Sequence, residues 1–178
     1  MSDNAPGDRP LAGLRVIDIA TYIAAPYCAT IMAEFGAEVI KVEQPGVGDF
    51  MRTIGPFEDG YSLWWAVEGR NKKSITLDLR QAAGQAILKE LIPHADVLIE
   101  NFKPGSMEEW GIGYEKVLKE RFPKLVYCKI SGFGADGPLG GFPGYDGIVG
   151  AMTGHYSVNG SVESGPMRLG LPVVDISM

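Results

Sequence analysis

Asp175 is the candidate nucleophile of this sequence. It follows the apolar run Leu171-Pro172-Val173-Val174, and a carboxylate in such surroundings is costly to bury unless it is hydrogen-bonded or used chemically. Carboxylates can attack carbonyl carbons and form covalent intermediates. Aspartate is also a common N-cap, and from spacing alone a capping role for Asp175 outweighs the nucleophilic one.

Other catalytic patterns are weak. His94 and His155 have no ligand-like spacing to Cys, Asp or each other, so we expect no bound metal. No Gly-x-Ser-x-Gly elbow occurs, and Ser131-Gly132 is a weak substitute for one. Cys28 and Cys128 lie in apolar segments without metal or disulfide spacing, which predicts buried thiols in a reducing compartment such as the cytoplasm.

Residues that could bind a ligand cluster near the ends of predicted strands. They are Tyr22, Ile23, Ala24, Asn71, Lys72, Lys73, Arg80, Asn101, Phe102 and Tyr145. The basic side chains could pair with phosphate oxygens, and Phe102 or Tyr22 could pack on an adenine or an acyl chain. A single lysine or arginine near a turn is most often solvated. These residues would form a site only if they converge on one edge of the sheet. A site that combines apolar and basic side chains would suit a thioester that carries a nucleotide.

The elements that position these residues begin with a strand–helix–strand unit. Val16-Ile17-Asp18-Ile19 and Val39-Ile40-Lys41-Val42 are typical of buried parallel strands. Pro26 and Gly36 suit the start and end of the helix between them. The turn over residues 20–25 would lie at the carboxyl end of the first strand, where open α/β sheets bind ligands. It contains no glycine, which argues against NAD and FAD.

Further elements extend the pattern. Strands are predicted at residues 74–77, 97–100, 125–130 and 171–175, and a helix over residues 86–92 would bury Ile87, Leu88, Leu91 and Ile92. The sequence from Ser106 to Glu109 has the form of a capping box. The predicted fold is α/β, a Rossmann-like open, mostly parallel sheet with helices on both faces. A final strand without a covering helix would leave one face bare, which predicts a fragment of a longer protein.

The composition is that of a globular chain, with 178 residues, 46% hydrophobic and 21% charged. A net charge of -6 argues against a nucleic-acid partner. Residues 1–10 are polar, unlike a secretion signal, and are predicted to be a disordered tail. No apolar run approaches the roughly 20 residues needed to span a bilayer, so no membrane partner is expected.

Several blocks of the sequence resemble the family III CoA-transferases, which include formyl-CoA and carnitine CoA-transferases and the α-methylacyl-CoA racemases. The blocks are Leu11-Ala12-Gly13-Leu14-Arg15-Val16-Ile17-Asp18, Gly36-Ala37-Glu38-Val39-Ile40-Lys41-Val42-Glu43, Asn71-Lys72-Lys73-Ser74-Ile75, Ala95-Asp96-Val97-Leu98-Ile99-Glu100-Asn101-Phe102-Lys103-Pro104-Gly105 and Pro143-Gly144-Tyr145-Asp146. They run in order from Leu11 onward, and together they are far more specific than any one alone.

The resemblance implies that residues 11–178 are the N-terminal part of a CoA-binding large domain that downstream sequence completes. It implies that Asp175 is the nucleophile and that coenzyme A, as acyl-CoA, is a substrate rather than a tightly bound cofactor. The implied CoA contacts are Tyr22, Ile23, Ala24, Leu77, Arg80, Asn101 and Phe102. Gln44, Glu109 and Pro143 stand where some transferases place basic residues. The full-length protein would be an interlocked homodimer acting on an acyl-CoA and a carboxylate.

The implied reaction moves CoA from an acyl-CoA to a carboxylic acid through covalent intermediates on Asp175. An alternative is the racemase branch, which typically needs a histidine where Tyr145 stands. A phenol of pKa about 10 is a poor proton shuttle near neutral pH, so Tyr145, the expected substrate-proximal residue, favours transfer. A third interpretation is an inactive fragment that at most binds CoA weakly.

Overall fold

A five-stranded parallel sheet forms the centre of the fold in the computed structural model, which describes residues 9–177. Most of the predicted tail at residues 1–10 therefore lies outside the described residues. The strands are β1 (Arg15–Asp18), β2 (Glu38–Glu43), β3 (Phe57–Glu58), β4 (Tyr61–Ser62), β5 (Lys72–Thr76), β6 (Val97–Glu100), β7 (Val126–Lys129), β8 (Gly160–Ser161) and β9 (Gly165–Pro166). The central sheet has the order β5-β2-β1-β6-β7, while β3-β4 and β8-β9 are short antiparallel hairpins.

Helices connect and cover the strands. They are α1 (Ala24–Glu34), α2 (Leu63–Glu68), α3 (Ala82–Leu91), α4 (Ser106–Glu109), α5 (Lys119–Arg121), α6 (Asp146–Met152) and α7 (Val173–Ser177). Short 3₁₀ turns occupy Phe50–Thr53, Ile92–His94 and His155–Val158, and a π-helical turn, Tyr114–Leu118, precedes α5. Within residues 9–177, no helix is both long and apolar enough to cross a membrane.

Strand alternation divides the core between the two faces of the sheet. On one face Ile17 and Leu98 pack with Leu88 of α3 and Met107 of α4. The opposite face is built from Val16, Val39, Val97 and Ile99 of the strands with Ala25, Ala29 and Ala33 of α1. Successive residues of a strand point to opposite faces, so each buried strand serves both layers. The predicted α/β class, with helices on both faces, is confirmed.

The strand order reverses beside β1. From β1 the chain builds β2 and β5 on one side, and it then returns to build β6 and β7 on the other. Such a reversal opens a crevice at the carboxyl ends of the two strands that flank it. Here those strands are β1 and β6, so the turns after Asp18 and Glu100 face each other across the crevice.

The prediction of a strand at residues 171–175 is wrong, because Val173–Ser177 form the helix α7. The Ile176 N–H bonds to the Pro172 carbonyl, and Asp146 supplies a further acceptor to the first turn. A β-branched apolar run does not distinguish a short helix from a strand, and tertiary contacts decide. The argument for a fragment that rested on an uncovered final strand therefore fails.

Two local predictions also differ from the structure. Ile87 was expected on the buried face of α3 but is exposed, whereas Leu88 and Ile92 are buried. The capping box at Ser106 does not form, because Gly105 takes the N-cap position in the left-handed conformation and no side chain caps the helix. Gly105 adopts a φ of 97°, which is unfavourable for other residues, so it sets the start of α4.

Candidate functional site

A cleft of about 480 Å³ lies at the crevice between β1 and β6. Its walls are the turn after β1, the turn after β6, the loop between β7 and α6, and Asp175 of α7. The lining residues are Thr21, Tyr22, Ile23, Ala24, Asn101, Phe102, Lys103, Pro104, Ile130, Ser131, Gly132, Gly141, Phe142, Pro143, Gly144, Tyr145 and Asp175. The cleft therefore gathers seven of the nine predicted site residues and omits Leu77 and Arg80.

The wall formed by the turn after β1 rests on a buried ion cluster. Asp18 pairs with Lys72 at 3.0 Å and with Lys41 at 3.5 Å. Lys41 donates to the Ala20 carbonyl, and the Lys72 ammonium donates to the Pro26 carbonyl at 2.6 Å. The two lysines thus anchor both ends of the glycine-free turn to the sheet. A buried ion pair with additional hydrogen bonds holds its partners in one arrangement, so the backbone of this turn is well fixed.

The expectation that Asn71, Lys72 and Lys73 lie at the binding edge is wrong. β5 begins at Lys72, so these residues lie at the amino end of the strand, away from the cleft. The Lys72 side chain is 2% exposed and forms an ion pair with Asp18. The Lys73 side chain is 72% exposed and pairs with Glu38. The strand was predicted to begin at residue 74, two residues later than β5 begins, so these three residues were assigned to a turn at the binding edge.

Leu77 and Arg80 follow the carboxyl end of β5, on the far side of β2 from the cleft. Leu77 is partly buried and packs against the core on the α3 face. The Arg80 guanidinium is mostly exposed and pairs with Asp78 at 2.9 Å. The structure therefore does not bring either residue to the cleft, and their assignment as CoA contacts stays a prediction. Of the three positions where basic residues were missing, Pro143 alone lines the cleft.

The turn after β6 is held by two side chains. Asn101 bridges to Thr21, accepting its N–H at 2.9 Å and donating to its carbonyl at 2.7 Å. Glu100 is fully buried and accepts the Phe102 N–H at 2.6 Å and the Tyr127 hydroxyl at 2.7 Å. Burial and the Glu100 charge raise the pKa of Tyr127, so this phenol stays neutral. Asn101 therefore fixes the separation of the two strand-end turns, and Glu100 holds the backbone of the turn after β6.

Tyr22 occupies a strained backbone position at the mouth of the cleft. Its φ of 65° lies in the left-handed region, which costs a non-glycine residue about 1 kcal/mol. The Tyr22 ring lies 4.8 Å from the Phe50 ring and 6.3 Å from the Tyr145 ring. Such ring pairs stabilise by about 0.5–1.5 kcal/mol each, enough to offset the strain. Together the three rings form an exposed aromatic wall beside the cleft.

The glycine-rich loop at residues 131–144 closes on itself where Gly132 meets Gly144. A Cβ on Gly132 would lie 2.3 Å from the Gly144 Cα, so only glycine permits this contact. The contact brings the end of the loop back to the sheet edge, and Tyr145 follows as the N-cap residue of α6. The loop thus places Tyr145 in the cleft wall.

Asp175 is the third residue of α7 and is half-buried in the cleft wall. Because it lies inside the helix, the interpretation of Asp175 as the N-cap of a later helix is wrong. Burial raises the pKa of Asp175, and the negative charge of Asp146 raises it further, whereas Arg168 lowers it. A carboxylate that is partly desolvated is a better nucleophile than a fully hydrated one.

Sequence reasoning missed several cleft residues. Lys103, Ile130, Ser131 and Phe142 line the cleft. Lys103 could have been found, since it follows Asn101-Phe102 directly in the same turn. The two cysteines, predicted to be buried, are half-buried, and a hydrogen bond from the Cys128 thiol lowers the pKa of Cys28 to about 7. Among residues 9–177 no group of three or more His, Cys, Asp or Glu is placed to hold a metal ion.

An open parallel sheet with a cleft at its point of strand reversal, lined by a half-buried carboxylate, defines a ligand-binding α/β domain. Comparison with known proteins identifies the family to which this domain belongs. The sequence profile described as CoA-transferase family III matches residues 11–178. The chain belongs to that family, as the resemblance predicted.

Characterised relatives share close sequence similarity. The chain is 46% identical over 176 residues to the succinyl-CoA–D-citramalate CoA-transferase of Chloroflexus aurantiacus, covering 98% of this chain and 43% of that enzyme. It is 42% identical to the succinate–glutarate CoA-transferase of Agrobacterium fabrum, covering 99% and 46%. A crystal structure of a CAIB/BAIF family protein from Brucella suis superposes with a TM-score of 0.87 at 38% identity, covering 94% and 45%. The chain thus spans less than half the length of these relatives.

Proposed function

We propose that the protein is an acyl-CoA:carboxylate CoA-transferase in which Asp175 is the nucleophile and coenzyme A is carried as substrate. The observation that supports this most strongly is the position of Asp175. Its half-buried carboxylate shares one cleft with Tyr22, Ile23, Ala24, Asn101 and Phe102, the residues expected to contact CoA. Family membership supports the reaction class, and the half-buried carboxylate in the cleft supports Asp175 as the group that reacts.

The proposed chemistry requires no external base. The Asp175 carboxylate attacks the thioester carbonyl of the donor and expels the CoA thiolate, which leaves a mixed anhydride. The thiolate attacks the Asp175 carbonyl carbon, releases the donor acid and forms an aspartyl-CoA thioester. The acceptor carboxylate displaces the thiolate from Asp175, and the thiolate then attacks the acceptor carbonyl of the new anhydride. That last step yields the acceptor thioester and regenerates Asp175, so charge and atoms balance.

Two features of the cleft would assist these steps. Ala24 begins α1 beside the cleft, and N–H groups at a helix N-terminus favour the negative charge of a tetrahedral oxyanion. Phe102 is fixed by the Glu100 hydrogen bond and by an edge contact with Trp110 at 5.0 Å between ring centroids. A fixed ring of this kind provides an apolar support for the CoA chain. Both roles are part of the proposal.

The substrates to test first follow from the relatives. The names of two of them pair succinate or succinyl-CoA with a dicarboxylate, D-citramalate in one and glutarate in the other. We propose succinyl-CoA as donor and a dicarboxylic acid as acceptor. Lys103 places a positive charge on the cleft wall, which suits an anionic substrate group.

The test uses full-length protein with succinyl-CoA and, one at a time, glutarate, citramalate, malate and oxalate, with acyl-CoA products separated by chromatography. We expect a new acyl-CoA with at least one acceptor, and its loss in Asp175→Ala. Glu163→Gln, which removes an exposed acid between β8 and β9, is the matched control and should transfer CoA normally. Transfer that persists in Asp175→Ala would overturn the assignment of the nucleophile.

The racemase alternative predicts a different product. Tyr145 lines the cleft and would have to exchange a proton with the carbon beside the thioester, a task for which a phenol is less suited than the histidine of the racemase branch. Full-length protein should therefore leave the configuration of a chiral 2-methylacyl-CoA unchanged. Rapid epimerisation of that compound would contradict the proposal.

The assembly and the activity of the 178-residue chain alone are also proposals. Because the matched relatives are more than twice as long as the segment they share, we propose that this segment alone shows no turnover and at most binds CoA weakly. We propose an interlocked homodimer for the full-length protein. Turnover by the 178-residue chain that Asp175→Ala abolishes would contradict the first proposal, and a monomeric mass in solution would contradict the second.

A further inference from the structure

Asp146 is a buried acid that lies behind the cleft and touches the helix that carries Asp175. It is 6% exposed and does not line the cleft. Its Oδ1 accepts the Val174 N–H at 2.9 Å, and its Oδ2 lies 3.3 Å from the Arg168 guanidinium. Val174 immediately precedes Asp175, so the hydrogen bond acts one residue away from the proposed nucleophile.

The contact with Val174 works as a helix cap supplied by another helix. Val174 is the second residue of α7, and the N–H groups of a first helical turn have no partner within the helix. A carboxylate placed there satisfies a donor and complements the helix dipole. Because α7 has only five residues, it has few bonds of its own to fix its position. The cap from α6, together with the packing of α7 against α1 and α6, is therefore what holds α7 at the cleft wall.

Asp146 also belongs to the electrostatic environment of Asp175. Among the described residues, the charges that act on Asp175 are those of Asp146 and Arg168, and they act in opposite directions. Arg168 pairs with Asp146 and partly neutralises it. Asp146 can therefore hold α7 in place without forcing a second full negative charge against the nucleophile.

We propose that Asp146 is a positioning residue for the Asp175 carboxylate, which it holds in the cleft by capping α7 through the Val174 N–H. The proposal rests on the proposed function, because it assumes that Asp175 reacts with the acyl-CoA. It concerns a residue that touches neither substrate nor reacting atoms. Its action passes through the backbone of α7.

The test compares two substitutions of Asp146 in the full-length protein. Asp146→Ala removes the acceptor and the charge, whereas Asp146→Asn keeps an amide oxygen for the Val174 N–H and removes the charge. We expect Asp146→Ala to lower kcat for CoA transfer by about ten- to hundredfold, with the KM for acyl-CoA changed less than about twofold, because small misplacements of a reacting group carry costs of this size. Asp146→Asn should restore kcat to within about threefold of the native value, since the cap remains.

A pH profile tests the contact of Asp146 with Asp175 separately from the cap, and a general loss of structure would not produce the shifts that we expect. Asp146→Asn removes a negative charge beside Asp175, so the acid limb of kcat/KM should move to lower pH. Arg168→Gln removes a positive charge, so the limb should move to higher pH. The same opposite shifts should appear in the pH dependence of carbodiimide labelling of Asp175, followed by mass spectrometry, which requires no turnover.

The outcomes distinguish this inference from the proposed function. Native kcat in Asp146→Ala would overturn the positioning role, and so would equal losses in the alanine and asparagine variants with unmoved pH limbs. If Asp146→Ala fails to fold, the Asp146→Asn and Arg168→Gln variants still test the proposal, because the acid limb of kcat/KM should move in opposite directions in the two variants. If native protein and Asp175→Ala are equally inactive, the proposed function is wrong. The pH dependence of carbodiimide labelling of Asp175 then still tests whether Asp146 acts on Asp175, because labelling requires no turnover.

Discussion

Replacing Lys72 by methionine tests whether this lysine holds the fold or holds a ligand. Lys72 and Lys73 are neighbours in sequence, and from sequence alone either could pair with phosphate oxygens. The structure gives them opposite surroundings, since the Lys72 side chain is 2% exposed and bonded to Asp18, while the Lys73 side chain is 72% exposed and bonded to Glu38. Lys73→Met is therefore a matched control that removes the same charge one residue away.

The expected magnitude follows from burial. Removing one partner of a buried ion pair costs about 3–5 kcal/mol because the other charge stays buried. Lys41 remains 3.5 Å from Asp18, so the lower value of about 3 kcal/mol applies. Loss of the hydrogen bond to the Pro26 carbonyl adds about 1 kcal/mol. The exposed pair of Lys73 with Glu38 is worth at most about 1 kcal/mol.

The assay measures unfolding in urea by tryptophan fluorescence and CoA affinity by calorimetry. We expect Lys72→Met to lower the free energy of unfolding by about 3–4 kcal/mol and Lys73→Met to lower it by less than about 1 kcal/mol. The Lys73 variant should bind CoA with native affinity. A Lys72→Met protein of native stability whose CoA affinity falls about tenfold or more would refute the reasoning, because that is the signature of a lost phosphate contact.

Two further predictions concern the buried acid Glu68 and the loop residue Gly132. Burial raises the pKa of Glu68 to about 7 from 4.5, and within residues 9–177 neither of its carboxylate oxygens has a hydrogen-bond partner. The folded state therefore binds this proton more tightly than the unfolded state, so stability is lost as pH rises from about 4.5 through about 7. Glu68→Gln should raise the free energy of unfolding by up to about 3 kcal/mol at pH 8 and by little at pH 4, measured in urea; an equal effect at both pH values would contradict this. Gly132→Ala should push the loop away from Gly144 and lower kcat/KM for CoA transfer by about tenfold or more, whereas Gly170→Ala, whose added Cβ meets open space, should not. Native kinetics in Gly132→Ala would show that the loop contact is unimportant.

The parallel sheet could be predicted from sequence because its signals are local. The strand at Val97–Glu100 was predicted with the observed bounds, and β1 and β2 were found to within one residue. Buried β-branched runs followed by helical patterns admit few other arrangements. The run at residues 171–175 was mistaken for a strand because five residues are too few for periodicity to separate the two states. The cap from Asp146, which favours the helix, is 28 residues distant in sequence.

The site was predictable where strand ends determine it. Tyr22, Ile23, Ala24, Asn101 and Phe102 meet in the cleft, as expected for turns at the carboxyl ends of adjacent parallel strands.

The placement of the basic side chains could not be predicted, because a charge pattern does not show which way a side chain points. Lys72 faces an aspartate inside the protein, and Arg80 pairs with Asp78 outside the cleft, so its role as a CoA contact stays a prediction. Asp146 was named only as part of the block at residues 143–146, and its capping role was not predicted because a cap between two helices leaves no pattern in the sequence.

The central claim is that Asp175 forms a covalent intermediate, and trapping tests it most directly. Full-length protein is incubated with succinyl-CoA and then with hydroxylamine, which converts an aspartyl anhydride or thioester into a stable hydroxamate. Peptide mass spectrometry should find the hydroxamate at Asp175, dependent on succinyl-CoA and absent when hydroxylamine is omitted. Catalytically active protein that shows an unmodified Asp175, or a hydroxamate on a different carboxylate, would contradict the account.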